Sequence, residues 1–293
     1  MRLLTVLLVS AVCVAPVPAL ACSTCKCADQ TITLFGTEKP FSGRFRIALD
    51  YYARSETTGS GVSEQTIDEE RSTFGVAYSL SPDITLALLI PFVRKELETV
   101  TLARQEASGL GDIDFIARWV MRRSGGISGR HLAGLHGGVR LPTAEEVEDN
   151  GMRLDIDVQP DAGATAPNIG AWYSYFRFPW FVNLSATYFT FSEGNQDFQA
   201  GDAFLASALA QYGINEKVAL QFGLDVRHSE RNDFSGVTDP NSGGVLAMGF
   251  TGLALRVGEE LLVSLGYQSP LIENLHGDQE EGDTFRIGLT YDL

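Results

Sequence analysis

The chain has 293 residues, 44% of them hydrophobic, and a formal net charge of −15 at pH 7. Such an acidic balance disfavours a nucleic acid partner, because the phosphate groups of nucleic acids need a basic surface. Beyond the N-terminal segment, the longest apolar run covers residues 84–93, well short of the roughly 20 residues that a membrane-spanning helix requires. These features exclude a helical membrane protein.

The N-terminus has the layout of a secretory signal peptide. A basic residue precedes an apolar core at residues 3–15, and the small-x-small motif Ala19-Leu20-Ala21 stands directly before Cys22. A lipoprotein signal would also place a cysteine first, but it prefers Leu where this chain has Ala19. We predict a signal peptide at residues 1–21, a Cys-rich periplasmic segment at 22–42 and a β-barrel at 43–293.

Three cysteines, Cys22, Cys25 and Cys27, follow the signal peptide within a few positions of one another. The periplasm is oxidising, so one disulfide with a spare thiol is the ordinary expectation. The alternative is a thiolate site for a soft metal ion such as Cu(I). Three cysteines without a fourth or a nearby His make a poor structural zinc site. The sequence shows no motif for another cofactor.

The first predicted strand covers residues 43–56, where apolar and polar side chains alternate. Phe45 and Ile47 share one parity, while Arg46 and Asp50 share the other. This is the pattern of a β-strand with one apolar face.

The next two strands form a hairpin at residues 71–92, turned by Ser81-Pro82-Asp83. The polar segments at 55–68 and 96–108, which flank this hairpin, are expected to be long loops. The unit of strand, short turn, strand and long loop then recurs to the C-terminus. Transmembrane β-barrels are connected in this way.

Nine further strands follow the hairpin. They are expected at residues 109–122, 131–141, 168–177, 180–191, 202–213, 218–227, 243–257, 260–269 and 283–293. An even number of strands, with both chain ends on the short-turn side, fits a bacterial barrel. We therefore predict an all-β fold, a 12-stranded antiparallel transmembrane β-barrel in the outer membrane of a Gram-negative bacterium. Its acidic loop at 143–166 is expected to be solvated.

The last strand and the strand ends carry two membrane signals. Apolar residues alternate up to the carboxylate at Phe285, Ile287, Leu289, Tyr291 and Leu293. This pattern resembles the C-terminal signature of outer-membrane proteins, so we expect the barrel-assembly machinery and outer-membrane lipid as partners. Interfacial aromatic belts are expected on the short-turn side at Tyr78, Trp119, Trp180, Tyr212 and Tyr291, and on the other side at Phe92, Trp172, Phe189 and Tyr267.

Alternate residues of a barrel strand point to opposite faces of the wall. When the apolar set faces the lipid, the other set faces the lumen. The predicted lumen and permeation residues are Arg44, Arg46, Asp50, Arg54, Asp112, Asp114, Arg118, His136, Arg140, Asp225, Arg227, Arg286 and Asp292. They form either ladders of paired charges that stiffen the lumen or a constriction that sorts permeants by charge. Closure pairs the first strand with the last, and a register with Arg44 opposite Asp292 also places Asp50 opposite Arg286.

Catalysis is not expected. A barrel phospholipase places a His and a Ser two residues apart on a strand, and no His of this chain is followed by Ser at that spacing. His228 and Ser229 are adjacent, so a strand turns them to opposite faces. The sequence has neither a G-x-S-x-G elbow nor a zinc-protease motif. We predict that the protein is not an enzyme.

Several segments carry a family resemblance. They are Leu89-Ile90-Pro91-Phe92, Gly109-Leu110-Gly111-Asp112, Gly138-Val139-Arg140-Leu141-Pro142-Thr143, and Asp157 with Gln159-Pro160 ahead of Gly163. In this order and spacing they resemble the outer-membrane family named for the meta-cleavage pathway of phenol degradation. The resemblance implies a membrane channel for small aromatic or hydrophobic molecules.

The sequence thus predicts an outer-membrane channel that lets small molecules cross passively. Two alternatives stay open. One is a metal-binding envelope protein in which the barrel anchors the three cysteines. The other is a structural barrel with a closed lumen.

Overall fold

A computed structural model describes residues 43, 45–126 and 129–293 of the chain. The predicted signal peptide, the Cys-rich segment and Arg44 lie outside the described residues. Apart from two single-turn 3-10 helices, Gly61–Ser63 and Asn195–Asp197, the regular elements are strands. They are β1 (Phe45–Thr58), β2 (Gln65–Ser79), β3 (Ile84–Thr99), β4 (Arg104–Leu110), β5 (Ile113–Gly126), β6 (Gly129–Leu141), β7 (Glu148–Asp149), β8 (Met152–Arg153), β9 (Ala166–Arg177), β10 (Trp180–Phe189), β11 (Phe198–Gln199), β12 (Ala203–Gly213), β13 (Val218–Ser229), β14 (Asp233–Phe234), β15 (Val237–Thr238), β16 (Gly244–Val257), β17 (Leu261–Leu275) and β18 (Gln279–Asp292).

Thirteen of these strands form one closed antiparallel sheet. Its order is β1, β2, β3, β5, β6, β9, β10, β12, β13, β16, β17 and β18, and β18 pairs with β1 again. β4 pairs with the end of β3 nearer the long loop, and β5 pairs with the other end of β3. β4 and β5 therefore occupy a single strand position in the barrel wall, which has twelve such positions. The predicted 12-stranded antiparallel barrel is confirmed.

The outer surface of the barrel is apolar, with aromatic side chains near the short turns. Trp119, Trp180, Tyr212 and Tyr291 are exposed, and the rings of Trp180 and Tyr212 meet edge to face at 5.0 Å. Such a surface is stable in a hydrocarbon layer bounded by interfaces, where amphipathic rings lie. The barrel is therefore an integral protein of the outer membrane.

Two predicted belt residues are placed wrongly. Phe189 lies on the inner face of β10 and packs against the cluster that contains Ile156 and Phe191. Trp172 is 6% exposed and lies inside the barrel, where its indole Nε1 donates a hydrogen bond to the carbonyl oxygen of Leu135. Both faces of β9 carry apolar side chains, so alternation could not tell the lipid face from the lumen face. Among the described residues, no helix has the length and apolar character needed to cross a membrane.

The strands around the first hairpin are longer than predicted. Most of the segments 55–68 and 96–108, expected as loops, continue β1, β2, β3 and β4 as paired strands. Opposite charges pair across these extensions. Arg104 pairs with Glu98 directly opposite it at 2.6 Å, and Arg94 pairs diagonally with Glu106 at 2.8 Å. Cross-strand charge pairing stabilises a sheet whose residues alone do not favour strand.

The wall is interrupted between β4 and β5. The N–H of Gly111 donates to the carbonyl oxygen of Pro91 at 2.9 Å, and the carboxylate of Asp112 accepts the N–H groups of Thr143 and Ala144, each at 2.9 Å. A Cβ at Gly111 would lie 2.9 Å from a carboxylate oxygen of Asp161. The break thus makes room for the long loop that follows β6, and Asp112 holds the start of that loop.

The prediction of a solvated acidic loop at residues 143–166 is wrong for its second half. Residues 154–166, which we call the inserted segment, fold into the long-loop end of the barrel, and most of their side chains are buried. Ile156 packs with Phe191, Phe198 and Leu205. On the other side, Leu154 and Val158 belong to a cluster formed with the walls of β2, β3 and β4.

Candidate functional site in the barrel lumen

The inserted segment is attached to the wall formed by β2 and β3. Lys95, which has no solvent exposure, donates from Nζ to the carbonyl oxygen of Asp157 at 2.9 Å. The guanidinium of Arg71 pairs with the carboxylate of Asp161 at 3.2 Å, and both side chains are almost fully buried. These contacts fix the segment against one side of the lumen.

A network of charges continues from Arg71 around the lumen. Glu69 accepts hydrogen bonds from Arg71 and Arg54, each at 3.1 Å, and from the phenol of Tyr52 at 3.0 Å. Arg54 also pairs with Glu281 of β18 at 2.7 Å. Each charged group of this network has a partner of opposite charge. These ion pairs offset the free-energy cost of removing the charges from water.

Two cavities lie on the other side of the lumen, along β1, β12, β13, β16, β17 and β18. Both are open to solvent at their mouths. The upper cavity, nearer the long loops, is lined by Leu205, Leu246 and Met248. Both cavities are lined by Asp225 and Arg286, which therefore mark the level at which they meet.

The lower cavity has an aromatic floor. The ring of Phe250 lies flat along the wall over Gly252 and Gly266, since a Cβ at Gly252 would lie 2.8 Å from the ring and one at Gly266 would clash with it. Gly223 and Gly288 also line this cavity. The glycines thus let the ring lie against the sheet and keep the space above it open.

The structure brings most of the predicted lumen residues into pairs. Asp114 pairs with Arg140 at 3.0 Å, Arg118 lies 3.5 Å from the ring centre of Trp172, His136 hydrogen-bonds with Thr187 at 2.9 Å, Asp225 accepts a hydrogen bond from Gln268, and Arg227 lies 3.8 Å from Glu281. Asp50 and Arg286 line the lower cavity. The part of these residues in permeation stays a prediction.

β1 and β18 are neighbours, as predicted, but their register differs by two residues. Arg46, instead of Arg44, faces Asp292, while Asp50 faces Gly288 and Arg286 faces Tyr52. The register is held by Arg46, which binds both carboxylate oxygens of Asp292 at 2.5 and 3.0 Å. A shift by two positions leaves every side chain on the same face, so alternation could not detect it.

Sequence reasoning missed the residues that hold the inserted segment. Glu69, Arg71, Lys95 and Glu281 are buried in the lumen but were not among the predicted site residues. Three of them, Glu69, Lys95 and Glu281, lie just beyond the ends of the predicted strands, in parts of β2, β3 and β18 that extend past those bounds. For Glu69, Arg71 and Lys95, the signal that could have found them is their parity, which is that of the lumen-facing residues of β2 and β3. Glu281 has the parity of the exposed Phe285, and a register shift between β1 and β18 turns it inward, so alternation could not have found it.

The long loops form a hydrogen-bonded rim beside the upper cavity. The side chain of Asn232 accepts the N–H of Gly201 at 2.9 Å, and the hydroxyl of Ser242 accepts the N–H of Asn232 at the same distance. Asn241 accepts the N–H of Asp278 at 3.1 Å. The rim thus connects the loops that follow β10, β13 and β17.

Asp239 in this rim gives a pH-dependent stability. Burial raises the pKa of its carboxyl above the ordinary value, although the N–H of Asn241 and the charge of Arg231 act in the other direction. The folded rim therefore favours the protonated acid. The stability that the protonated carboxyl gives to the rim is lost as the pH rises through the raised pKa. We expect Asp239→Asn to slow amide hydrogen exchange of residues 231–242 at pH 7. The difference from wild type should disappear below about pH 3.9, the pKa of an unfolded Asp; equal exchange at pH 7 would contradict this expectation.

Within the described part of the chain, no three or more His, Cys, Asp or Glu residues are grouped so that they could hold a metal ion. Cys22, Cys25 and Cys27 lie outside that part, so the metal-binding alternative stays a prediction. His228 and Ser229 are adjacent on β13, with Ser229 buried and His228 exposed.

Fold and lumen together define an outer-membrane β-barrel with an inserted loop. No protein-family model matches the chain, and no curated protein is similar to it in sequence. An outer membrane channel from Pseudomonas putida F1 has a similar crystal structure, with a TM-score of 0.71 at 14% identity over 86% of this chain and 96% of that one. The translocator domain of the autotransporter NalP from Neisseria meningitidis gives a TM-score of 0.49 at 13% identity over 89% and 92% of the two chains. The NanC porin gives 0.49 at 10% identity over 84% and 100%.

The similarity to the Pseudomonas putida F1 structure shows the fold. The resemblance to the family of the phenol pathway stays a prediction, and so does recognition of the last strand by the assembly machinery.

Proposed function

We propose that the protein is a passive channel for small molecules across the outer membrane. The observation that carries this proposal is the pair of cavities that meet at Arg286 and Asp225 on the side of the lumen opposite the anchors of the inserted segment. The two cavities follow the barrel axis, because the upper one reaches Glu281 and the lower one Gly288 on the same strand. A solute can move between them along β18.

The lining supports permeants with an apolar part. Leu205, Leu246 and Met248 project into the upper cavity and Leu209 and Phe250 into the lower one. Side chains of this kind favour hydrophobic or aromatic molecules over strongly hydrated ones. This agrees with the substrate class that the sequence resemblance implies.

The proposal is tested by single-channel recordings of the refolded mature chain in planar bilayers. Gly288 lines the lower cavity, and the adjacent Leu289 is exposed on the outer face. We expect discrete current steps in wild type, and we expect Gly288→Trp to reduce the step size by about half or more, because a Trp side chain fills much of such a cavity. The matched control, Leu289→Trp, should leave the steps unchanged.

Two outcomes would contradict the proposal. Folded, inserted protein that carries no current would favour the closed structural barrel. Equal steps in the two Trp variants would show that the current does not pass through the lower cavity.

A further inference from the structure

Arg286 differs from the other arginines that line the two cavities. Arg54 and Arg227 both pair with Glu281. Among the described residues, none hydrogen-bonds or ion-pairs with the guanidinium of Arg286, which is partly buried and lines both cavities. The two carboxylates beside it in the lower cavity, Asp50 and Asp225, each have an interaction partner of their own. Five guanidinium N–H donors therefore remain available for a ligand.

The floor of Phe250 lies directly beside this arginine. Gly266 of β17 stands opposite Arg286 of β18 in the sheet, and the Phe250 ring covers Gly266. An aromatic face and a guanidinium are thus one strand apart, on the same side of the wall. Leu209 and Leu262 line the same cavity and extend its apolar surface.

We propose that this place is a binding site for a small aromatic monocarboxylate. The carboxylate accepts two hydrogen bonds from Arg286, since the guanidinium fork matches the geometry of its two oxygens. The ring packs on Phe250 in an offset or edge-to-face arrangement. The inference rests on the proposed channel function, for which it names a substrate class.

Tight binding needs both the carboxylate and the ring of the ligand, because each group alone supplies only part of the binding free energy. A carboxylate without a ring gains only the ion pair, which is weak where water still reaches the arginine. A ring without a charge gains only apolar contact and leaves the guanidinium without a partner. A molecule that carries both groups satisfies the arginine and covers the aromatic floor at the same time.

The test is a calorimetric titration of the full mature chain, refolded in detergent, with three probes. Benzoate carries ring and charge, benzamide has the same shape without the charge, and acetate has the charge without the ring. We expect wild type to bind benzoate more tightly than either of the others. Arg286→Gln should weaken benzoate binding by about tenfold or more, because a hydrogen-bonded charge pair is lost, and Arg286→Lys should restore part of it.

Arg94→Gln is the matched control, because Arg94 is exposed and pairs with Glu106 away from the cavities; it should bind benzoate as wild type does. Heat-modifiable migration on gels verifies that each variant is folded. The inference is overturned if wild type does not bind benzoate, if benzamide binds equally well, or if folded Arg286→Gln keeps the wild-type affinity.

Bilayer recordings on the same samples separate this inference from the proposed function. Conducting channels without an Arg286-dependent benzoate site would overturn the site and leave the channel. Benzoate binding to a barrel that carries no current would overturn the channel and leave the site.

Discussion

Removing the side chains of residues 154–164 should increase the single-channel conductance several-fold. The change replaces each of these residues by Gly or Ser, which keeps the chain length. Leu154, Ile156 and Val158 are buried against the barrel wall and the neighbouring loops, and burial of each stabilises the inserted position by about 2 kcal/mol. The variant also loses the buried pair of Asp161 with Arg71. The segment should then leave the lumen and open the side formed by β2 and β3.

The same variant should change ion preference. It removes Asp155, Asp157 and Asp161, and it leaves Arg71 and Lys95 without the groups that they contact on the segment. A lumen with fewer carboxylates and two more accessible cations favours anions. Reversal potentials in a salt gradient measure this shift together with the conductance.

The control for this prediction lies in the same loop. The hairpin of β7 and β8 is exposed, with Met152 at its tip, so Gly and Ser at residues 148–153 should alter neither conductance nor ion preference. If the substitution of 154–164 has no more effect than this control, the inserted segment does not limit the current.

Alternation in the sequence was sufficient to predict the barrel and the facing of many residues. Arg46, Asp114 and Arg140 lie on the parity opposite the apolar side chains of their strands, and in the structure they form interior ion pairs. The period of two is a property of the strand itself, so it can be found without knowledge of the neighbours. The strand count followed from the same pattern.

The inserted segment could not be predicted in this way, because residues 154–166 have no regular period. Their position depends on partners elsewhere in the chain, chiefly Arg71 and Lys95 on the barrel wall. Acidic residues in a loop usually remain in water. Here Asp161 is buried because an arginine and the backbone surround it, a tertiary effect that local sequence does not contain.

The cavities at Arg286 were also beyond sequence reasoning. Parity places Arg286 inside the barrel, but it does not say whether a partner faces it. The register between β1 and β18 decides this, since a shift by two residues places Tyr52 instead of Asp50 opposite Arg286. The predicted register pairs Arg286 with a carboxylate, whereas in the structure no described residue hydrogen-bonds or ion-pairs with its guanidinium.

Loss of the Arg46–Asp292 pair should destabilise the barrel by about 3–5 kcal/mol, the usual effect of removing one partner from a buried ion pair. Arg46 is 1% exposed and binds both oxygens of Asp292, which lies on the strand that closes the barrel. Arg46→Met leaves the carboxylate buried without its charge partner. We expect a lower urea midpoint for unfolding of the refolded protein in lipid vesicles.

Two further variants distinguish loss of this pair from a general effect of mutation. The double variant Arg46→Met, Asp292→Leu removes both charges, so it should regain most of the stability, since an apolar pair of similar volume has no desolvation penalty. Arg94→Gln removes one partner of an exposed pair of similar length and should cost less than about 1 kcal/mol. If Arg46→Met costs no more than Arg94→Gln, the register of β1 and β18 is not held by this ion pair, and the backbone hydrogen bonds of the two strands alone close the barrel.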